Sequence, residues 1–92
     1  MIIETERLIL RPFTEDDSEE HAFFDYLFGQ KGARRIYAYV EDYNLSSQHL
    51  CEKLGMRREG LFMEFVSFVN NPDGTPHYEN TYQYAILKKE WH

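Results

Sequence analysis

Hydrophobic and polar positions fall into blocks whose period changes along the chain. Leu8, Ile9 and Leu10 form a short apolar run between Arg7 and Arg11, and Pro12 closes it, which predicts a strand. Thr14 follows as a helix N-cap with Asp17 three residues on, an approximate capping box. Glu15, Asp16 and Asp17 suit the positive end of that helix's dipole. Ala22, Phe23, Tyr26 and Leu27 give the helix an apolar face, and Gly29 and Gly32 mark its end. Residues 35–40 (Arg-Ile-Tyr-Ala-Tyr-Val) are β-branched and aromatic, hence a second strand. Ser46 or Ser47 is placed to cap a short helix carrying Leu50 and Leu54, which Gly55 stops.

From 61 to 69 the pattern loses its alternation. Leu61, Met63 and Phe65 lie on one face of the predicted strand, and Phe62, Val66 and Phe68 on the other. A strand apolar on both faces implies cover on both sides. The cluster 70–76 (Asn-Asn-Pro-Asp-Gly-Thr-Pro) is a turn, and 78–87 returns as the hairpin partner. The expected architecture is α/β (α+β), a single small mixed sheet with elements in the order β-α-β-α-β-β, in one domain spanning residues 1–92. The first three elements form a β-α-β unit, a connection that is nearly always right-handed and joins parallel strands.

Composition narrows the function classes. The chain has 92 residues, 42% of them hydrophobic, with seven Phe and seven Tyr, so a folded domain is expected. A net charge of −6 argues against nucleic acid or an anionic membrane as a partner, since both require a basic face. Cys51 is the sole cysteine, which rules out an internal disulfide and cysteine-based zinc sites. His21, His49, His77 and His92 show no metal-ligand spacing, so no metal is expected. No apolar run is long enough for a membrane span, and Glu4, Glu6 and Arg7 interrupt any signal-like start. A cytoplasmic setting is the expectation.

One segment is more specific. Residues 44–60 read Asn-Leu-Ser-Ser-Gln-His-Leu-Cys-Glu-Lys-Leu-Gly-Met-Arg-Arg-Glu-Gly. This stretch resembles the N-x-x-S-x-x-x-x-x-K-x-G-F/M-x-x-E-G helix and strand of the GNAT N-acetyltransferases. Thr5 to Phe13 resembles the opening strand of the same superfamily, in its ribosomal-protein acetyltransferase branch. The resemblance implies an acyl-CoA N-acyltransferase-like fold, here an internally shortened domain lacking the family's middle strands. It implies transfer of acetyl from acetyl-CoA, as cosubstrate, to an amine of a small molecule or a protein N-terminus. It also implies that Asn44 and Ser47 touch the acetyl-CoA arm, and that Cys51 stands where many relatives carry a tyrosine that protonates the departing CoA thiolate.

The residues themselves add two qualifications. Relatives hold the CoA pyrophosphate on a glycine-rich loop leading into a helix, where free N–H groups meet the phosphates. The matching junction here, residues 11–20, has no glycine and carries Glu15, Asp16, Asp17, Glu19 and Glu20, which repel a pyrophosphate. The residue types at Asn44, Ser46 and Ser47 also fit plain turn and cap roles, and Cys51 fits a small buried core position. Glu64, Glu79 and Asp42 lie near strand ends, and the pattern assigns none of them as a general base. Two functions are therefore open on the residues: an N-acetyltransferase, or a catalytically inactive family remnant serving as a structural α/β domain. Because missing strands leave sheet edge and aromatic surface bare, a homodimer is the expected assembly.

Overall fold

A computed structural model describes the backbone of Ile2–Thr5, Arg11–Pro12 and residues 17–91. Two short strands, β1 (Ile2–Thr5) and β2 (Arg11–Pro12), precede helix α1 (Asp17–Gly29). Strand β3 (Arg35–Glu41), helix α2 (Leu45–Lys53) and the hairpin β4 (Arg57–Asn70) and β5 (Pro76–Leu87) follow. A 3-10 turn, Lys88–Glu90, follows β5. The strands make one sheet in the order β2-β1-β3-β5-β4.

The α/β architecture is as expected, with one correction in the sheet: every neighbouring pair is antiparallel, so the sheet is not mixed. The strands that α1 connects, β2 and β3, do run in the same direction, but β1 lies between them. The expected opening strand at Leu8, Ile9 and Leu10 lies outside the described residues, as does the Thr14 cap. The strand observed beside β3 is Ile2–Thr5, paired from Ile2 with Tyr39 to Thr5 with Ile36.

Both helices pack on one face of the sheet. Along β3 burial alternates, with Ile36, Ala38 and Val40 buried and Arg35, Tyr37, Tyr39 and Glu41 half-buried on the opposite face. Phe24, Leu27 and Phe28 of α1 join Leu50 and Cys51 of α2 and its C-cap residue Leu54 over Ile36, Val40, Tyr84 and Ile86. The buried side of α1 is thus Glu20, Phe24, Leu27 and Phe28, at i, i+4, i+7 and i+8; of the expected Ala22, Phe23, Tyr26 and Leu27, only Leu27 is fully buried and Phe23 packs at the core's margin. Ala22 is exposed, and a carboxylate at the fully buried Glu20 disguised the phase. Trp91 closes the end of this core: its Nε1 donates to Asp25 Oδ1 at 2.7 Å, and its ring meets Phe24 and Phe28.

The hairpin departs most from expectation. Instead of being covered on both faces, β4 is the sheet's edge strand. Leu61, Met63, Phe65, Phe68 and Val69 are all exposed. Three register shifts interrupt its pairing with β5, between Arg58 and Gly60, Phe62 and Val66, and Ser67 and Val69. Such bulges blunt an edge that would otherwise template uncontrolled pairing. At the middle shift Glu64 adopts φ +49°, a left-handed backbone uncommon for a residue with a side chain. Asn80 holds it there, its Oδ1 accepting the Glu64 N–H at 2.9 Å.

Candidate functional site

The site is built where β3 ends and α2 begins. The chain leaves β3 at Glu41, Asp42 N–H donates to the Asn80 carbonyl, and Asn44 N–H donates to the Glu41 carbonyl. Asn44, not Ser46 or Ser47, caps α2: its Oδ1 accepts the Ser47 N–H at 3.2 Å and the Ser46 hydroxyl at 3.3 Å. Gln48, buried, reaches back with Nε2 to the carbonyls of Asp42 at 3.0 Å and Glu41 at 3.3 Å. The first turn of α2 is thereby tied to the end of β3 by two side chains one turn apart. At the other end Gly55, at φ +85°, donates to the Glu52 carbonyl while Met56 N–H donates to the Cys51 carbonyl. That pair of bonds is a Schellman stop, and its left-handed residue is a glycine for want of a Cβ.

Asn44 and Ser47 are therefore brought together, Asn44 half-buried and Ser47 buried. Cys51 lies one turn beyond Ser47 and is fully buried in the core under α2. Burial pushes its thiol up to about 12, with the neighbouring Glu52 charge adding to the rise. The thiol stays protonated, and a ligand could reach it only by parting α2 from the sheet.

Of the three carboxylates noted in the sequence, only that of Asp42 meets Asn80. Asn80 Nδ2 donates to Asp42 Oδ2 at 3.3 Å, its Oδ1 fixes the Glu64 backbone, and Glu79 is its chain neighbour. Glu79 in turn accepts the Tyr43 hydroxyl at 3.1 Å through both carboxylate oxygens. Desolvation and that carboxylate raise the Tyr43 pKa, so the phenol holds its proton. Tyr43 is exposed, which leaves this phenol–carboxylate pair open beside the N-terminus of α2. The sequence reading missed Tyr43 and Gln48. Both carried a signal: an aromatic residue just before a cap position, and a polar residue on the inward face of α2, four residues after Asn44.

The basic clusters are largely engaged within the chain. Arg35 Nη2 meets Glu59 at 2.6 Å, Arg57 bridges Glu59 and Glu90, and Arg58 donates to Tyr84 and Gln48 while stacking on the Tyr82 ring at 3.8 Å. Arg34, Leu87, Lys88 and Lys89 line an open depression at the far end of the sheet from Asn44. No cluster of potential metal ligands occurs among the described residues.

The chain is similar in sequence and in fold to known acetyltransferases. The chain is 36% identical over 70 residues to the uncharacterized N-acetyltransferase YnaD of Bacillus subtilis, covering 76% of this chain and 38% of that protein. A GNAT-family acetyltransferase structure from Bacillus anthracis matches 80% of this chain and 41% of its own, with a TM-score of 0.68 and 34% identity. A chimera of spermidine N-acetyltransferase SpeG from Vibrio cholerae and hSSAT matches 80% of this chain and 42% of its own, with a TM-score of 0.69 and 27% identity. No protein-family model matches. The chain spans about two fifths of the length of each of these relatives. In sequence and in fold, the chain belongs to the GNAT superfamily of N-acetyltransferases.

Proposed function

We propose that this chain is an acetyl-CoA-dependent N-acetyltransferase domain whose chemistry takes place where β3 meets α2. The observation that carries the reading is the convergence of Asn44, Ser47, Tyr43 and Glu79 at that junction, in a chain 36% identical to an N-acetyltransferase. The amine nitrogen attacks the acetyl carbonyl, the carbon–sulfur bond breaks, and the amine proton has to leave. Glu79 is the carboxylate positioned to take it. Tyr43, held protonated, is the group positioned to return a proton to the departing thiolate. Asn44 and Ser47 set the first turn of α2, against which the donor's arm lies. Cys51, packed in the core, takes no direct part.

The acceptor in this reading is a polyamine, its reacting nitrogen neutral when it attacks and its other nitrogens cationic. Glu41, Asp42 and Glu79 gather beside the site, the net charge is −6, and one structural relative is named a spermidine N-acetyltransferase. A small polyamine fits this charge better than an anionic acceptor does. No helix among the described residues is long and apolar enough to cross a membrane. A cytoplasmic setting accords with acetyl-CoA use and with a lone buried thiol.

The test is turnover of acetyl-CoA and spermidine, read by mass spectrometry of the acetylated amine. Product is expected, with Glu79→Gln lowering kcat by about 100-fold or more. Product formed equally well by Glu79→Gln would remove that residue's role. Absence of product with any amine would favour the inactive remnant.

A further inference from the structure

We infer that the sheet face turned away from both helices is the track along which the polyamine lies, its second nitrogen held between Glu41, Thr81 and the ring of Phe62. The inference rests on the reaction proposed at Glu79 for the choice of the nitrogen that reacts.

Register and a bulge assemble the track. Glu79, Thr81 and Gln83 alternate onto this face of β5. Thr81 is paired with Glu41 on β3 and with Phe62 on β4, and Gln83 is paired with Tyr39. Phe62 and Phe65 are three residues apart, which in a regular strand would put them on opposite faces. The left-handed Glu64, held by Asn80, brings Phe65 back to the side of Phe62. The two ring centroids lie 5.0 Å apart, and Phe65 stacks on Tyr39 at 6.2 Å. Bulges beside functional sites re-aim side chains in this way. Phe65 stays 51% exposed, so the aromatic cluster is open to solvent.

The chemistry of the cluster selects a cation. Elsewhere the sheet sets its own guanidinium groups over aromatic rings, Arg35 over Tyr37 at 4.8 Å and Arg58 over Tyr82 at 3.8 Å. No such cation meets Tyr39, Phe62 or Phe65 among the described residues, and the chain has no Lys or Arg between Arg58 and Lys88. Carboxylates flank the rings instead. Glu41 stands beside Thr81, Glu79 lies two residues along β5, and Glu4 lies near the Tyr39 phenol, which burial raises and the Glu4 charge raises further. Aromatic faces bordered by carboxylates attract alkylammonium groups.

Thr81 marks where the ammonium sits. Its side chain is 3% exposed, and its Oγ1 has no hydrogen-bond partner among the described residues. A buried hydroxyl left in this state is costly. An ammonium N–H donates to it once the half-buried Phe62 ring turns aside. The spacing agrees: two residues along a strand advance about 6.7 Å, close to the span of four methylene groups between two nitrogens. With one nitrogen at Glu79, the next falls at Thr81 and the chain beyond it runs toward Tyr39.

Calorimetric titration with spermidine, without acetyl-CoA, tests the track on variants shown to be folded by circular dichroism. The wild type should bind saturably, and ring currents should shift the spermidine methylene protons upfield in NMR spectra. Phe65→Leu keeps apolar bulk without a π-face and should weaken binding at least about fivefold, whereas Phe65→Trp should retain it. Thr81→Val should weaken binding about threefold or more while raising the urea midpoint, because no unpaired hydroxyl remains buried. Leu61→Gln, on the opposite face beside Tyr82, should bind like the wild type. Absent binding, or equal binding by wild type and Phe65→Leu, would overturn the inference. Wild-type affinity in Thr81→Val would overturn the placing of the second nitrogen. Spermidine bound in this manner but never acetylated would leave the track standing and remove the catalytic reading. Acetylation whose KM for spermidine is unmoved by Phe65→Leu would do the reverse.

Discussion

Ile36, Ala38 and Val40 on β3 and Leu61, Met63 and Phe65 on β4 are similarly apolar strand segments of one sheet, with opposite surroundings. The β3 residues lie under α1 and α2 and have lost all contact with water. The β4 residues sit on the sheet's edge and keep about half their surface or more. Hydrophobicity alone does not decide burial here; topology does. The inner position of β3, between β1 and β5, lets two helices close over it, whereas no described element follows β4 on its outer side. Stability should therefore come from the helix-covered half, and the hairpin should tolerate change within a single chain.

The largest effect that tests this contrast is Phe24→Ala, which opens a cavity between α1, Phe28 and Trp91. A loss of about 3–5 kcal/mol is expected in urea unfolding, a large share of the stability of a domain this small. Next comes a pH effect confined to the same core. The folded Cys51 thiol is raised to about 12, above its ordinary value of 9.0, so the unfolded chain ionises first. Its contribution is intact below pH 9 and is lost as pH rises from there toward 12, with a slope approaching ~1.4 kcal/mol per pH unit. Tyrosines and lysines titrate in the same range, so the quantity to measure is the difference between wild type and Cys51→Ala, which should lack this component.

Asn44→Ala removes the α2 cap, and about 1 kcal/mol should be lost in the same unfolding experiment. Ser46→Ala, which removes a hydroxyl that donates to the capping Asn44 Oδ1, should cost less. The smallest effect belongs to the hairpin: Met63→Gln in dilute protein should change stability by less than about 0.5 kcal/mol. A loss there comparable with that of Phe24→Ala would show that the arm is packed even in the single chain.

Much of the fold was legible in the residues, and the failures share a cause. The β3 strand, the α2 stop at Gly55 and the 70–76 turn each depend on local chemistry, and each appears within a residue or two of its expected place. The phase of α1 was misread because Glu20 occupies a buried position that a hydrophobic pattern assigns to an apolar residue. Cover for β4 was misjudged because an apolar pattern reports a demand for burial, while only the strand order reveals whether the chain meets it. In the candidate site, the family resemblance pointed to Asn44 and Ser47, which the structure places at the start of α2. The Tyr43–Glu79 pair could not be located in advance, since it joins residues 36 positions apart through the β3–β5 pairing. Nor could the convergence of Asp42 and Glu64 on Asn80, which depends on the bulge in β4.

The most direct test of the central claim is a calorimetric titration of the chain with acetyl-CoA. The account predicts saturable binding at one site per chain with Kd below about 100 μM, equivalent to roughly 5.5 kcal/mol. Asn44→Ala should weaken that binding, while Met63→Gln should leave it unchanged. No heat of binding up to about 1 mM would contradict the proposed activity while leaving the family membership and the fold in place.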